Sequence, residues 1–155
     1  MNAPTNPLTE AQIRQSLANK WRDGRHELLQ LYASLEKILA RRLAPDGKIL
    51  IVTPAASRTF GQKLQLTIKS APASFKLHAD LGPLRNVLAH TSFDIAMIGE
   101  ELSVVLSVAD IENARNALVI PGTDWKPFLD QWRKKLKQAI DEARRLPATP
   151  LANKS

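Results

Sequence analysis

The amino-acid sequence predicts a mainly α protein, a helical bundle of four to five helices with a small β-hairpin insertion at about residues 93–108. Three observations support this fold class. Apolar residues recur every three or four positions over most of the chain, which is the spacing of one buried helix face. On both sides of Gly99 the apolar residues instead alternate, as in a hairpin. The length of 155 residues fits one hydrophobic core.

Composition predicts the domain organisation. Residues 9–146 are expected to form a single helical domain, with a disordered N-terminus at 1–8 and a flexible tail at 147–155, because both ends are polar and contain proline. The hydrophobic content of 44% is that of a globular chain, and there is no cysteine to form a disulfide. No secretory or membrane-spanning apolar run is present, so we expect a cytoplasmic protein with no membrane contact.

Two helices are predicted in the first third of the chain. Thr9 is the expected N-cap of a helix from about residue 10 to residue 23. Asp23-Gly24 either ends this helix or bends it. The apolar pattern resumes at His26 and reaches Leu43, where a Pro- and Gly-containing turn stops the second helix.

The next two segments differ in how clearly they can be interpreted. Residues 48–53 are rich in β-branched side chains and fit either a short strand or a buried connector, since periodicity cannot decide at this length. A third helix follows, ended by Ala71-Pro72. Its apolar stripe consists of Phe60, Leu64 and Ile68.

A fourth helical stretch runs from about residue 74 to residue 90, with Gly82-Pro83 inside it. The helix either kinks at this pair or a fresh helix begins there with Pro83 in its first turn. We favour the fresh start, because it leaves residues 84–90 as an uninterrupted helix.

The C-terminal half contains the hairpin and a last helix. A helix over 98–108 is the alternative to the second strand, but the serines and valines there disfavour it. Residues 109–122 allow no assignment. Thr123-Asp124 is the expected cap of the last helix. Its predicted inner face consists of Trp125, Phe128 or Leu129, Trp132, Leu136 and Ile140.

The chain is basic, with a formal charge of +7 and a pI near 10, which favours anionic partners such as RNA. The charge is unevenly distributed, since residues 100–125 carry five acidic side chains and one basic. Solvation of exposed helix faces accounts for the basic residues equally well. Both interpretations also apply to four basic residues of the last helix, which are candidates for contact with RNA: Arg133, Lys134, Lys135 and Lys137.

The candidate site is the heptapeptide L-R-N-V-L-A-H at residues 84–90. Leu84 and Leu88, with Leu81, have the spacing of a buried face, which leaves the polar side chains Arg85, Asn86 and His90 on other sides of the helix. The chain contains neither a glycine-rich phosphate loop nor ligands at metal-binding spacing, so no cofactor and no metal are expected. Both other histidines, His26 and His78, are predicted to be surface residues near helix ends.

This heptapeptide resembles the signature of the HEPN domain (higher eukaryotes and prokaryotes nucleotide-binding). In that family an Arg, commonly followed by Asn or another polar residue, stands four to six residues before a His near the end of a helix. The predicted helix order is similar too, with two antiparallel N-terminal helices, a third helix, the Arg–His helix and a closing helix. The resemblance covers about residues 9–145 in architecture and 84–90 in motif.

Many HEPN proteins are metal-independent ribonucleases that act as toxins or in phage defence, with a site formed where two subunits place their Arg–His helices side by side. The resemblance therefore implies a homodimeric endoribonuclease whose site combines Arg85, Asn86 and His90 from each subunit. RNA is the implied substrate. An antitoxin or another defence protein is the implied partner.

The residue types suit this chemistry. Histidine titrates near neutral pH and can move the protons of RNA cleavage, while a guanidinium can hold the phosphate as it gains charge. Glu36 is a supporting candidate that could orient Arg85, or else an exposed partner of a nearby basic residue. The alternative function is a non-catalytic RNA- or nucleotide-binding or regulatory module. In that case Arg85 pairs with a carboxylate and His90 caps its helix.

Overall fold

The computed structural model describes residues 8–44, 59–108 and 118–149, with the side chains of residues 90–92, 107, 108 and 118 outside that description. Within these ranges the chain is mainly helical and carries one small antiparallel sheet, which confirms the predicted fold class. The ambiguous segment 48–53, most of 109–122 and nearly all of the predicted disordered N-terminus lie outside the described residues.

Helix α1 spans Glu10–Leu43 without interruption. Thr9 is its N-cap, as predicted: the Thr9 hydroxyl accepts from the Gln12 backbone N–H, and the Gln12 side chain accepts from the Thr9 N–H. The prediction of two separate N-terminal helices is wrong, since the 34 residues form one. Glycine weakens a helix by about 1 kcal/mol without stopping it, so tertiary packing decides whether the helix continues.

Packing explains why position 24 is glycine. Gly24 is buried where the last helix crosses α1, and a Cβ there would overlap the indole ring of Trp125. That ring cannot easily move, because its centroid lies 5.1 Å from the ring of Trp21 and 5.6 Å from the ring of Phe128. Gly24 therefore permits a close approach of two helices and does not mark a helix end.

We expect Gly24→Ala to destabilise the protein by about 1–2 kcal/mol, because overpacking against Trp125 outweighs the gain in helix propensity. Gly61→Ala is the matched control, since Gly61 is also helical and a Cβ there would meet no described atom outside its own stretch of helix within 4 Å. That variant should be stabilised by up to about 1 kcal/mol. Urea unfolding of both proteins gives the two values, and equal changes would contradict the packing explanation.

Two short helices follow and lead to the candidate motif. Helix α2 spans Phe60–Ser70 and a 3-10 helix spans Ala73–His78. Helix α3 then begins afresh at Leu81 and ends at His90, with Pro83 in its first turn. The third helix and the fresh start are therefore both confirmed.

Three antiparallel strands of the sheet lie in the described ranges, in the order β1-β2-β3, and they span Thr91–Ile98, Glu101–Val108 and Leu118–Pro121. The hairpin of β1 and β2 confirms the alternating pattern, with Ile95 opposite Val104 and a positive φ of 64° at Gly99. The alternative of a helix over 98–108 is therefore wrong. The third strand was not predicted, since only four residues at the end of an unassigned segment form it.

Helix α4 spans Trp125–Arg145 and packs along α1. Its predicted inner face is confirmed: Trp125, Leu136 and Ile140 are buried, and Phe128, Leu129 and Trp132 pack partly buried against the same core. Asp124 precedes the helix but makes no capping bond with its side chain. After α4 the chain returns to α1, where the Thr149 N–H donates to the Arg42 carbonyl at 2.9 Å.

Candidate active site

Helix α3 presents the candidate motif at the junction between the helical layer and the sheet. Leu81, Leu84 and Leu88 are buried, as their spacing predicts, while Arg85 is half-buried and Asn86 is exposed. His90 is the last residue of α3, and β1 begins at the next residue. The His90 side chain lies outside the described residues, so its predicted role stays a prediction.

Arg85 lines a cavity of about 290 Å³ between α1 and α3. Ala89 of α3 also lines the cavity. It lies one turn after Arg85 and is adjacent to His90 in the chain. The α1 residues are spaced by three and four, so they share one helix face. They are Arg25, Leu29, Tyr32, Ala33 and Glu36. The cavity therefore extends along α3 to its last turn.

Tyr32 attaches α3 to α1 at one end of this cavity. Its ring is buried, and its hydroxyl donates to the Leu81 carbonyl at 2.7 Å. Burial raises the pKa of Tyr32 well above its ordinary value, and the charge of Asp80 adds to this, while the positive charge of Arg85 acts in the opposite direction. The phenol therefore stays protonated at neutral pH and keeps its bond to α3.

Arg25 attaches the other end of α3, and sequence reasoning missed it. Its Nε donates to the Leu88 carbonyl at 2.6 Å, so a cation sits at the helix C-terminus, where it is favoured. Arg25 lies four residues before Leu29 and seven before Tyr32, which places all three on one face only if the helix continues through Gly24. The predicted break at Gly24 concealed this relationship.

Glu36 lies on the wall of the same cavity but is bound to another residue. The Lys63 ammonium on α2 donates to Glu36 Oε1 at 2.9 Å, and the Lys63 side chain is only 5% exposed. Glu36 therefore forms an ion pair with a basic residue, which is the second of its two interpretations. The partner differs from the expected one, because Lys63 is buried and distant in sequence. Arg85 has no hydrogen bond or ion pair with any described residue.

Two of the four residues in the basic cluster of α4 form contacts within the protein. Arg133 binds both Glu27 oxygens, at 2.5 and 2.9 Å, and these bonds lower the pKa of Glu27. Lys135 binds Asp80 and lies 4.9 Å from the ring centroid of Trp132. Lys134 and Lys137 are exposed. None of the four lines the cavity that contains Arg85.

One histidine does not lie where the sequence placed it. His78 was predicted to be a surface residue, but it is only 5% exposed, because the 3-10 helix that carries it packs against α4. Its Nε2 lies 2.8 Å from Glu142 Oε2, and its Nδ1 is buried with no partner among the described residues. His26 is exposed, as predicted, and bonds to the Gln30 side chain, but it lies in the middle of α1 and not near a helix end, because the helix continues through Gly24.

Comparisons of the chain with protein-family models, with curated proteins and with solved structures returned no match. Over residues 8–44, 59–108 and 118–149, no three His, Asp or Glu side chains are grouped closely enough to hold a metal ion. No helix in that part of the chain combines the length and apolarity needed to cross a bilayer. The arrangement of Arg85, Arg25 and the end of α3 therefore provides the main basis for a functional proposal.

Proposed function

We propose that this protein is an endoribonuclease of HEPN type that cleaves RNA without a metal ion. The observation that carries the proposal is the environment of Arg85. Arg85 lines a cavity that reaches the last turn of α3, and no described carboxylate forms an ion pair with it. A half-buried cation with no partner among the described residues is suited to binding a phosphate.

In the proposed reaction, the ribose 2′-hydroxyl attacks the adjacent phosphorus. The 2′-oxygen forms a bond to phosphorus and gives its proton to a base, while the bond to the 5′-oxygen breaks and that oxygen takes up a proton. His90 carries these protons, since imidazole titrates near neutral pH. Arg85 stabilises the charge that develops on the phosphate, and Asn86 positions the reacting groups. The products are a 2′,3′-cyclic phosphate and a 5′-hydroxyl.

The proposal includes a biological setting and an assembly. We place the protein among toxins or phage-defence effectors, acting in the cytoplasm as a homodimer and held in check by an antitoxin or defence-complex partner. In this homodimer the two copies of α3 lie side by side at the subunit interface. One His90 imidazole then acts as base while the other acts as acid. The exposed Asn86 lies on α3 one turn before His90, which is compatible with a subunit interface along this helix.

The test is RNA cleavage by the purified full chain in the presence of a chelator. We expect wild-type protein to cut single-stranded RNA, and His90→Ala to lose this activity while unfolding at the same denaturant concentration. The chelator removes only metal-dependent contaminating nucleases, so the identically purified His90→Ala protein is the control for metal-independent ones. Wild-type cleavage rates in a His90→Ala protein purified identically would remove His90 from the mechanism.

A non-catalytic RNA- or nucleotide-binding module is the second candidate. It is favoured by the fact that the described cavity wall contains the charges for holding a phosphate, while the two groups on it that could move a proton are already engaged: Tyr32 donates to the Leu81 carbonyl and Glu36 is paired with Lys63. In this case wild-type protein binds RNA and leaves it intact over the whole pH range of the assay. The same RNA incubation therefore separates the two candidates.

A further inference from the structure

We propose that the cavity between α1 and α3 is a phosphate-binding site in which Arg25 and Arg85 hold the same phosphodiester group. Arg25 is thus a second binding residue, supplied by a helix outside the sequence motif. The inference rests on the proposed function in taking a nucleic-acid phosphate as the ligand of Arg85. It does not require that the phosphate be cleaved.

The first argument is the way in which Arg25 is held. Its Nε is bound to the Leu88 carbonyl at 2.6 Å, which fixes the plane of the guanidinium. No described residue accepts from its two terminal nitrogens, although the side chain is only half exposed. Arginine offers five donors in a rigid fork, and here one donor is used while the outer edge is left for a ligand.

The second argument is the charge of the cavity wall. Arg25 and Arg85 contribute two positive charges, and among the described lining residues Glu36 is the one acidic side chain. The Glu36 carboxylate is already paired with Lys63, and nearby Asp80 is paired with Lys135. The described surroundings therefore keep an excess of positive charge in a partly enclosed space, where an anion gains more than at an open surface.

The third argument is size and position. A volume of about 290 Å³ lies just below the usual range for small-molecule sites, which begins at about 300 Å³. It suits a phosphate with part of a ribose better than a whole stacked base. Ala89 on the wall brings the cavity to within one residue of His90, so a phosphate held there would lie beside the end of α3.

The experiment measures binding to an RNA analogue that cannot be cut. A fluorescent single-stranded oligonucleotide with 2′-O-methyl riboses lacks the attacking hydroxyl, and its affinity is measured as a function of salt for the full chain. The variant is Arg25→Gln, whose amide N–H can still donate to the Leu88 carbonyl while the charge is gone. Arg41→Gln, also on α1 but exposed and outside the cavity, is the matched control.

We expect Arg25→Gln to weaken binding by about tenfold or more, because it removes a charged hydrogen bond. The slope of log affinity against log salt should fall by about 0.7, the value for one lost contact to a single strand. Arg41→Gln should leave the slope unchanged. A purely structural role for Arg25 would alter the melting temperature but not the slope.

Three other results would decide separately on the role of Arg25, on the phosphate site and on the nuclease proposal. Arg25→Gln and Arg41→Gln proteins with equal affinity and slope would overturn the role of Arg25. No measurable binding by wild-type protein at low salt would overturn the phosphate site as a whole. Binding of the analogue with the expected loss in Arg25→Gln, but no cleavage of ordinary RNA, would support this inference and remove the nuclease proposal.

Discussion

Arg85→Ala is expected to slow RNA cleavage by about 100- to 1,000-fold, the usual cost of removing one donor that stabilises transition-state charge. The unfolding free energy should change by less than about 0.5 kcal/mol, because Arg85 makes no hydrogen bond or ion pair with a described residue. The measurement is the single-turnover cleavage rate, with urea unfolding of the same preparations. Loss of activity without loss of stability would identify Arg85 as part of the site.

Two further variants sharpen this experiment. Arg85→Lys keeps the charge but loses the planar fork of donors, so its rate should fall between those of wild type and Arg85→Ala. Arg41→Ala removes an exposed arginine on α1 that lies outside the cavity and should cleave at the wild-type rate. If Arg85→Ala cleaves as fast as Arg41→Ala, the cavity is not the active site.

Glu36→Ala is expected to destabilise the protein by about 2 kcal/mol, since it leaves the buried ammonium of Lys63 without its partner. The Lys63 side chain is 5% exposed, and Glu36 is the residue that pairs with it. The double variant Glu36→Ala/Lys63→Met should regain most of the lost free energy of unfolding, because a well-packed apolar side chain of similar size replaces the unpaired ammonium. Urea unfolding of the two variants measures both effects.

The control for this prediction is the exposed pair between Arg14 and Glu10, whose side chains are 40% and 59% exposed. Glu10→Ala should cost less than about 1 kcal/mol, as is usual for surface ion pairs. If Glu36→Ala costs no more than Glu10→Ala, the Lys63 ammonium must reach water in solution, and its pair with Glu36 does not help to hold α2 on α1.

Local chemistry accounts for what could be predicted from the sequence. The threonines before α1 and α2 each form a capping box with a glutamine three residues later, so both helix starts are specified by four residues. Gly99 adopts the positive φ that a hairpin turn requires. Leu81, Leu84 and Leu88 are buried at the spacing of one helix face. In each case the determining residues are neighbours in the chain.

Long-range packing accounts for what could not be predicted. The continuity of α1 depends on the ring of Trp125, a hundred residues away, filling the space above Gly24. The burial of His78 depends on Glu142 on α4, and that of Lys63 depends on Glu36. Arg25 becomes part of the candidate site only through the continuity of α1. Such contacts leave no periodicity in the sequence, so only the folded chain reveals them.

The measurement that tests the central claim most directly is analysis of the RNA ends left by wild-type protein. Cleavage by 2′-hydroxyl attack produces a 2′,3′-cyclic phosphate and a 5′-hydroxyl, and it stops at any position where the 2′-oxygen is methylated. We predict these ends on ordinary RNA, and no cutting of the fully 2′-O-methylated strand. A 5′-phosphate at the cut, or cleavage of the methylated strand at the same rate, would contradict the account.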